Sequence, residues 1–148
     1  MIEFNKTYSI NIEGLNHQGY GVGRLDGFTV FVPFALVGEQ INGRIEEIKP
    51  NYAIASIETI KKESPFRRKP RCVHFFDCGG CDFLHLDYQS QLLAKKTIAE
   101  DALRRIAKIP ITVDGIDGSN QAYHYRNKIQ IPFGNRHYKV ICGYFKKK

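Results

Sequence analysis

The cysteine-rich stretch Cys72–His85 constrains this chain more than any other part of the sequence. It reads C-V-H-F-F-D-C-G-G-C-D-F-L-H, so three of the four cysteines are spaced C-x5-C-x2-C. Two thiolates in a C-x2-C turn can reach one metal centre, and a glycine pair lets backbone N–H groups approach the sulfurs. We therefore predict that Cys72, Cys78 and Cys81 are metal ligands.

The spacing leaves the identity of the metal open. Structural zinc needs four ligands, and His85 follows Cys81 as C-x3-H, which would complete a zinc site and is the interpretation that spacing alone favours. An iron–sulfur cluster would need a fourth cysteine, and Cys142 is the only one remaining. The alternative without a metal is three buried or free thiols. Clustered cysteines in a reducing compartment are more often metal ligands than disulfides.

Charge is distributed unevenly along the 148 residues, whose net charge is +7. Residues 1–60 contain four basic and seven acidic residues, whereas residues 61–148 contain 18 basic and eight acidic residues. A basic excess of this size predicts a polyanionic partner such as RNA, although solubility is an alternative explanation. We see no signal peptide and no apolar run of about 18 residues that would predict a membrane helix, so we expect a cytoplasmic protein without a membrane partner.

Residues 1–60 are predicted to form a small all-β barrel. The segment 8–13 alternates apolar and polar residues, Asp26-Gly27 indicates a hairpin, and the run 28–33 is strongly β-prone. The glycine-rich segment 14–23 is interpreted as a turn. Further apolar residues within 41–48 and 52–60 predict about five strands in total, with no clear helix. Closure into a barrel would remove exposed strand edges.

Residues 61–71 are predicted to be a basic linker, and residues 72–148 a partial α+β domain. Asp87 can cap a helix from about Tyr88 to Lys108, which Pro110 would end. An apolar stripe along this helix predicts packing against a core. Strands are expected to begin at Ile111 and to cover 123–133 and 137–145, with a turn at 134–135.

Two groups of residues are candidates for RNA contact. Arginines in the linker could hold phosphates, and the segment 123–128 mixes aromatic rings that can stack on unpaired bases with cationic side chains. The alternatives are a solvated connector and a strand with one polar face. The candidate RNA-binding residues are Arg67, Arg68, Arg71, Tyr125, Arg126 and Lys128. We find no nucleophile–base constellation, so we name no catalytic residue.

Together these motifs resemble the 23S rRNA (uracil-C5)-methyltransferases. Residues 10–55 are similar to a TRAM domain, an OB-like barrel, and the cysteine loop is similar to the C-x5-C-G-G-C signature of that family. Tyr125-Arg126-Asn127-Lys128 and Gly143-Tyr144-Phe145 resemble the start of its central RNA-contacting domain. The resemblance implies an enzyme that binds 23S rRNA, holds a 4Fe-4S cluster, and uses S-adenosylmethionine in rRNA processing.

The chain departs from the family pattern in two respects. It ends before the S-adenosylmethionine-binding domain with the catalytic cysteine, so the resemblance implies only an N-terminal portion of such an enzyme. The fourth cluster cysteine of the family follows the segment similar to Gly143-Tyr144-Phe145, whereas Cys142 precedes it. Three cluster ligands are therefore matched. The rival hypotheses are a stand-alone zinc-stabilised RNA-binding module and a gene fragment without function. Neither the target uracil nor the oligomeric state can be predicted.

Overall fold

The computed structural model describes residues 2–147 and begins with a five-stranded closed barrel. Its strands are β1 (Thr7–Leu15), β2 (Gly21–Leu25), β3 (Phe28–Val32), β4 (Gln40–Ile48) and β5 (Tyr52–Lys62). They neighbour one another in the order β1-β2-β3-β5-β4, and β4 pairs with β1 to close the barrel. The β3–β5 pair is parallel and the other pairs are antiparallel. The predicted all-β, OB-like barrel is confirmed.

Alternation of apolar and polar residues fills the barrel interior. In β1, Ile10 and Ile12 are buried, whereas Ser9 and Asn11 are exposed, because successive side chains of a strand point to opposite faces. The other strands and the loop after β3 contribute in the same way. The buried core consists of Ile10, Ile12, Val30, Val32, Ala35, Ile41, Ile45, Ala53 and Ala55.

The interpretation of segment 14–23 as one turn is wrong, because its second part belongs to β2. Gly21 and Gly23 face the barrel interior. A Cβ at Gly21 would lie 2.8 Å from Ala35 Cβ, and a Cβ at Gly23 would lie 2.7 Å from Asn11 O and would clash with Ile10. Glycine therefore occurs in this strand because the neighbouring side chains fill the interior. The predicted hairpin at Asp26-Gly27 is present, with positive φ at both residues.

The second part of the chain contains one helix and one hairpin. Helix α1 spans Tyr88–Arg105, and the Asp87 carboxylate accepts a hydrogen bond from the Ser90 N–H at 3.1 Å, as expected of an N-cap. Strands β6 (Phe133–Arg136) and β7 (Lys139–Cys142) pair through a two-residue turn. That turn is His137-Tyr138, where both φ angles are positive. The prediction of a turn at 134–135 is therefore wrong.

Several predicted features of this part take a different form. The helix ends three residues before Lys108, and none of its described side chains is buried, so the expected core packing of its stripe is not seen. Segments 111–113 and 123–132 are not strands. β5 continues to Lys62, two residues past the predicted end of the barrel domain. Met1 and Lys148, which the predicted domains include, lie outside the described residues.

Candidate functional site

A buried ion pair joins the barrel to the segment that follows it. The Glu39 side chain has no exposed surface, and its carboxylate accepts bonds from Arg67 Nε at 2.6 Å and Arg67 Nη2 at 2.7 Å. The Leu36 and Ser64 N–H groups donate to it as well. Burial alone would raise the pKa of Glu39, but the hydrogen bonds from Arg67 and the backbone outweigh it and lower the pKa. Glu39 is therefore held as a carboxylate.

The Arg67 side chain is mostly buried and does not lie on the surface. Its side chain is 12% exposed, and its Nη2 also donates to the Phe34 carbonyl at 2.7 Å. Its backbone forms an isolated bridge with Leu86. Because the guanidinium is directed into the protein, the expectation that Arg67 contacts RNA is not supported by its placement. The segment around it is packed against residues 85–87, unlike a solvated connector.

An aromatic cluster connects the barrel to the cysteine loop. Phe34, which has a positive φ of 65°, packs edge-on against Phe75 and Phe76, with ring centroids 5.6 and 5.2 Å apart. His85 lies in the same cluster, 5.0 Å from Phe75, and is fully buried. Burial, followed by the nearby Arg67 charge, lowers the pKa of His85 to about 4. The imidazole is therefore neutral at pH 7 and packs as part of this cluster.

The cysteines are not assembled into a metal site. Cys72, Cys81 and Cys142 are exposed, and Cys78 is half-buried. Within residues 2–147, no three His, Cys, Asp or Glu side chains are grouped so that they could hold a metal ion. The predicted ligands thus fit neither zinc nor a 4Fe-4S cluster in this arrangement, and both cofactors stay predictions. Partial burial of its sulfur, with Cys78 and Cys72 nearby, raises the pKa of Cys81.

The glycine pair Gly79-Gly80 of the cysteine loop packs closely against residues 144–147, which follow β7. The Gly79 N–H donates to the Phe145 carbonyl at 2.8 Å, and Lys147 N–H donates to the Asp77 carbonyl at 2.9 Å. A Cβ at Gly79 would lie 2.9 Å from Phe145 O, and a Cβ at Gly80 would lie 3.3 Å from the Tyr144 ring. Both glycines therefore leave room for the residues that follow β7.

Lys147 fixes this segment against the aromatic cluster. Its side chain is 9% exposed, and its Nζ donates to Asp82 Oδ1 at 2.8 Å. The same ammonium lies 5.0 Å from the centre of the Phe34 ring, within the range of a cation–π interaction. The cysteine loop is therefore held from two sides, by the barrel through Phe34 and by the chain after β7.

Among the predicted RNA-binding residues, Arg68 and Arg71 are on the surface. The Arg68 guanidinium donates to the Pro65 and Arg67 carbonyls, which fixes it beside its own backbone. The Arg71 guanidinium lies 4.5 Å from the centre of the Tyr123 ring. This stacked pair brings the linker and the segment 123–128 together, although they are about 50 residues apart in the sequence.

The structure brings two of the other predicted residues together in a shallow cleft of about 350 Å³. Arg126 and Lys128 line it, and Tyr125 is 64% exposed beside Arg126. Hydrogen bonding to Tyr125 raises the pKa of Arg126, and the Tyr144 hydroxyl acts in the same direction. The other lining residues were not among the predicted site residues, because the closeness of residue 144 to 126–130 depends on the tertiary structure. They are Ile129, Gln130 and Tyr144.

A second, apolar groove of about 280 Å³ separates helix α1 from the barrel. It lies between Leu36 and Phe66 on the barrel side and Leu93 and Ile98 on the helix. Its lining consists mostly of hydrocarbon, and it contains no cluster of titratable side chains. In the described part of the chain, no helix is long and apolar enough to cross a membrane.

Comparison with known families identifies the barrel. Residues 3–57 match the family model described as the TRAM domain. We call residues 3–57 the TRAM domain after this match. The match ends within β5. The Glu39–Arg67 pair thus attaches the TRAM domain to the segment after it.

Relatives of the whole chain extend beyond the TRAM domain. Proteins named as uncharacterized RNA methyltransferases from Listeria innocua and Clostridium tetani are 36% and 35% identical to it. They cover 100% and 97% of this chain. The chain spans about a third of the length of these curated relatives, 33% and 31% respectively.

A solved structure of a conserved protein from Methanococcus maripaludis is 38% identical to the chain. The match covers 39% of this chain and 83% of that protein. Its TM-score is 0.38, which is too low to support a structural conclusion.

Proposed function

We propose that this chain is the RNA-binding part of an RNA methyltransferase. The observation that carries the proposal is the similarity of all 148 residues, TRAM domain and basic part alike, to a protein named as an RNA methyltransferase. The finer proposal is a 23S rRNA (uracil-C5)-methyltransferase that uses S-adenosylmethionine, supported by the C-x5-C-G-G-C spacing beside a TRAM domain. Methyl transfer would then depend on residues outside this sequence, and a cytoplasmic location would follow from an rRNA substrate.

Ion pairing supports the placement of RNA contacts in the second part of the chain. Every basic residue of the TRAM domain has an acidic partner: Lys6 pairs with Glu3, Arg24 with Glu13, Arg44 with Glu46, and Lys49 with Glu47. Within residues 2–147, Arg71, Arg126 and Lys128 form no such pair. Unpaired cations are the ones that can neutralise phosphates and release counterions. The TRAM domain would therefore contribute surface contacts to RNA binding, and not the neutralisation of phosphates.

The test compares the salt dependence of RNA binding between two charge-matched variants. One variant changes Arg71, Arg126 and Lys128 to Gln, and the control changes Lys6, Arg44 and Lys49 to Gln. For a 23S rRNA fragment measured by fluorescence anisotropy, we expect the first variant to reduce the slope of log K against log salt concentration by about 2, at roughly 0.7 for each lost contact. We expect the control to change this slope by less than about 0.7, the value for one phosphate contact.

Two results would contradict the proposal. The first is an absence of measurable binding to any RNA by the unmodified chain at low salt. The second is an equal loss of slope in both variants, which would place the contacts on the TRAM domain as well. Incubation with S-adenosylmethionine and 23S rRNA should give no uracil methylation by this chain alone, and methylation would refute the assignment of catalysis to residues outside it.

A further inference from the structure

The cleft beside the cysteine loop has the composition of a site for one nucleotide. Its wall contains an aromatic ring, Tyr144, two cations, Arg126 and Lys128, and the amide of Gln130. These groups supply a stacking surface, positive charge, and an amide that can both donate and accept hydrogen bonds. The cleft has a volume of about 350 Å³, and Ile129 is its fifth lining residue.

Tyr144 has a fixed support, which distinguishes it from an ordinary exposed tyrosine. One side of its ring lies against Gly80, where even a methyl group would come within 3.3 Å of the ring. The residue remains 44% exposed and lines the cleft. The next residue, Phe145, is hydrogen-bonded to Gly79 through its carbonyl. A ring held in this way loses little conformational freedom when a base stacks on it.

The cations lie next to this ring. Arg126 and Lys128 line the same cleft as Tyr144. Lys128 is exposed on the same wall and has no acidic partner among the described residues. A phosphate attached to a stacked nucleotide could therefore meet two positive charges without displacing an ion pair.

We propose that this cleft binds one unpaired nucleotide of single-stranded RNA, with its base stacked on Tyr144 and its phosphate held by Arg126 and Lys128. The proposal rests on the proposed function and adds a specific site and a preferred RNA form. Bases inside a duplex are stacked on one another and cannot reach a ring in a shallow cleft. The site thus prefers loops or single strands over helical RNA.

The test uses the full chain and a fluorescently labelled ten-nucleotide single-stranded RNA, alone or annealed to its complement. We expect Tyr144→Ala to weaken binding of the single strand by about 5- to 150-fold, the range for losing one base–aromatic stack. Tyr144→Phe keeps the ring and should stay within about 3-fold of the unmodified chain. The duplex should bind more weakly, and Tyr144→Ala should not change its affinity.

Further variants keep the test informative if Tyr144→Ala disturbs the loop. Lys128→Gln should reduce the salt slope for the single strand by about 0.7, whereas Lys95→Gln, which removes the same charge from the exposed face of α1, should not. Circular dichroism checks that each variant is folded.

The two proposals fail in different ways. If no RNA binds the unmodified chain, the proposed function itself is refuted. If RNA binds, but Tyr144→Ala and Lys128→Gln behave like Lys95→Gln, or the duplex binds as well as the single strand, the nucleotide site alone is refuted.

Discussion

Replacement of Arg67 by alanine would test the argument that the TRAM domain and the following segment are joined by a buried ion pair. The Glu39 carboxylate has no exposed surface and receives two bonds from Arg67 and two from backbone N–H groups. Alanine would leave the carboxylate buried without its counter-charge, and would leave the Phe34 carbonyl without its donor. Removal of one partner of a buried pair costs about 3–5 kcal/mol.

We expect the lower end of this range, about 3 kcal/mol, because the two backbone bonds to Glu39 remain in the variant. Urea unfolding followed by circular dichroism measures the effect. With a slope of about 2 kcal/mol per molar for a small protein, the unfolding midpoint should fall by about 1.5 M. Arg67→Lys keeps the charge but loses the two-pronged geometry, so its loss should be smaller than that of alanine.

Two controls separate the buried pair from general loss of charge. Arg44→Ala removes a guanidinium from a pair that is about 45% exposed, and its effect should be below about 1 kcal/mol. The double variant Glu39→Leu with Arg67→Met replaces the pair by hydrocarbon and should recover most of the lost stability. If Arg67→Ala is no more destabilising than Arg44→Ala, or the double variant is worse than either single change, the argument is wrong.

Three further predictions follow from the same structure. The pKa of Glu39 is lowered from its ordinary value of 4.5 in the folded protein, so the ionised carboxylate stabilises the fold above pH 4.5. This stabilisation is lost as the pH falls through the lowered pKa. Glu39→Gln should therefore flatten the acid side of a stability–pH curve measured by urea unfolding. Gly23→Ala should destabilise the barrel by about 1–3 kcal/mol in the same assay through contact with Ile10, whereas Gly14→Ala, with open space around it, should not; equal effects would contradict the packing argument. Anaerobic reconstitution with iron and sulfide should give less than one 4Fe-4S cluster per chain, measured by iron analysis and visible absorption. The reason is that, within residues 2–147, no three potential ligand side chains are placed so that they could hold a metal ion. One full cluster per chain would contradict this arrangement of the cysteines.

Local patterns in the sequence were sufficient for the elements that depend on neighbouring residues. Alternation identified β1, the Asp26-Gly27 pair identified the hairpin between β2 and β3, and Asp87 identified the start of α1. Each of these signals acts within a few residues, through strand alternation, positive φ or an N-cap hydrogen bond. The TRAM domain was predictable for the same reason, since its motifs lie along consecutive strands.

Contacts between distant residues decided the rest. Gly21 and Gly23 resembled a turn until the side chains of β1 and the loop after β3 were placed against them. Arg67 resembled its exposed neighbours in a basic run, although a carboxylate 28 residues earlier holds it inside the protein. The apolar stripe of α1 predicted burial, but a stripe does not specify what covers it, and none of the helix's described side chains is buried.

The cysteine loop depends both on local sequence patterns and on contacts with distant residues. Its sequence determined that three cysteines and a glycine pair lie within one short loop. Only the tertiary structure decided that those glycines receive the chain around Tyr144 and Phe145, and that His85 packs among phenylalanines. The physical reason is that spacing restricts what a loop can hold, whereas the positions of its side chains depend on segments that pack against it from elsewhere in the chain.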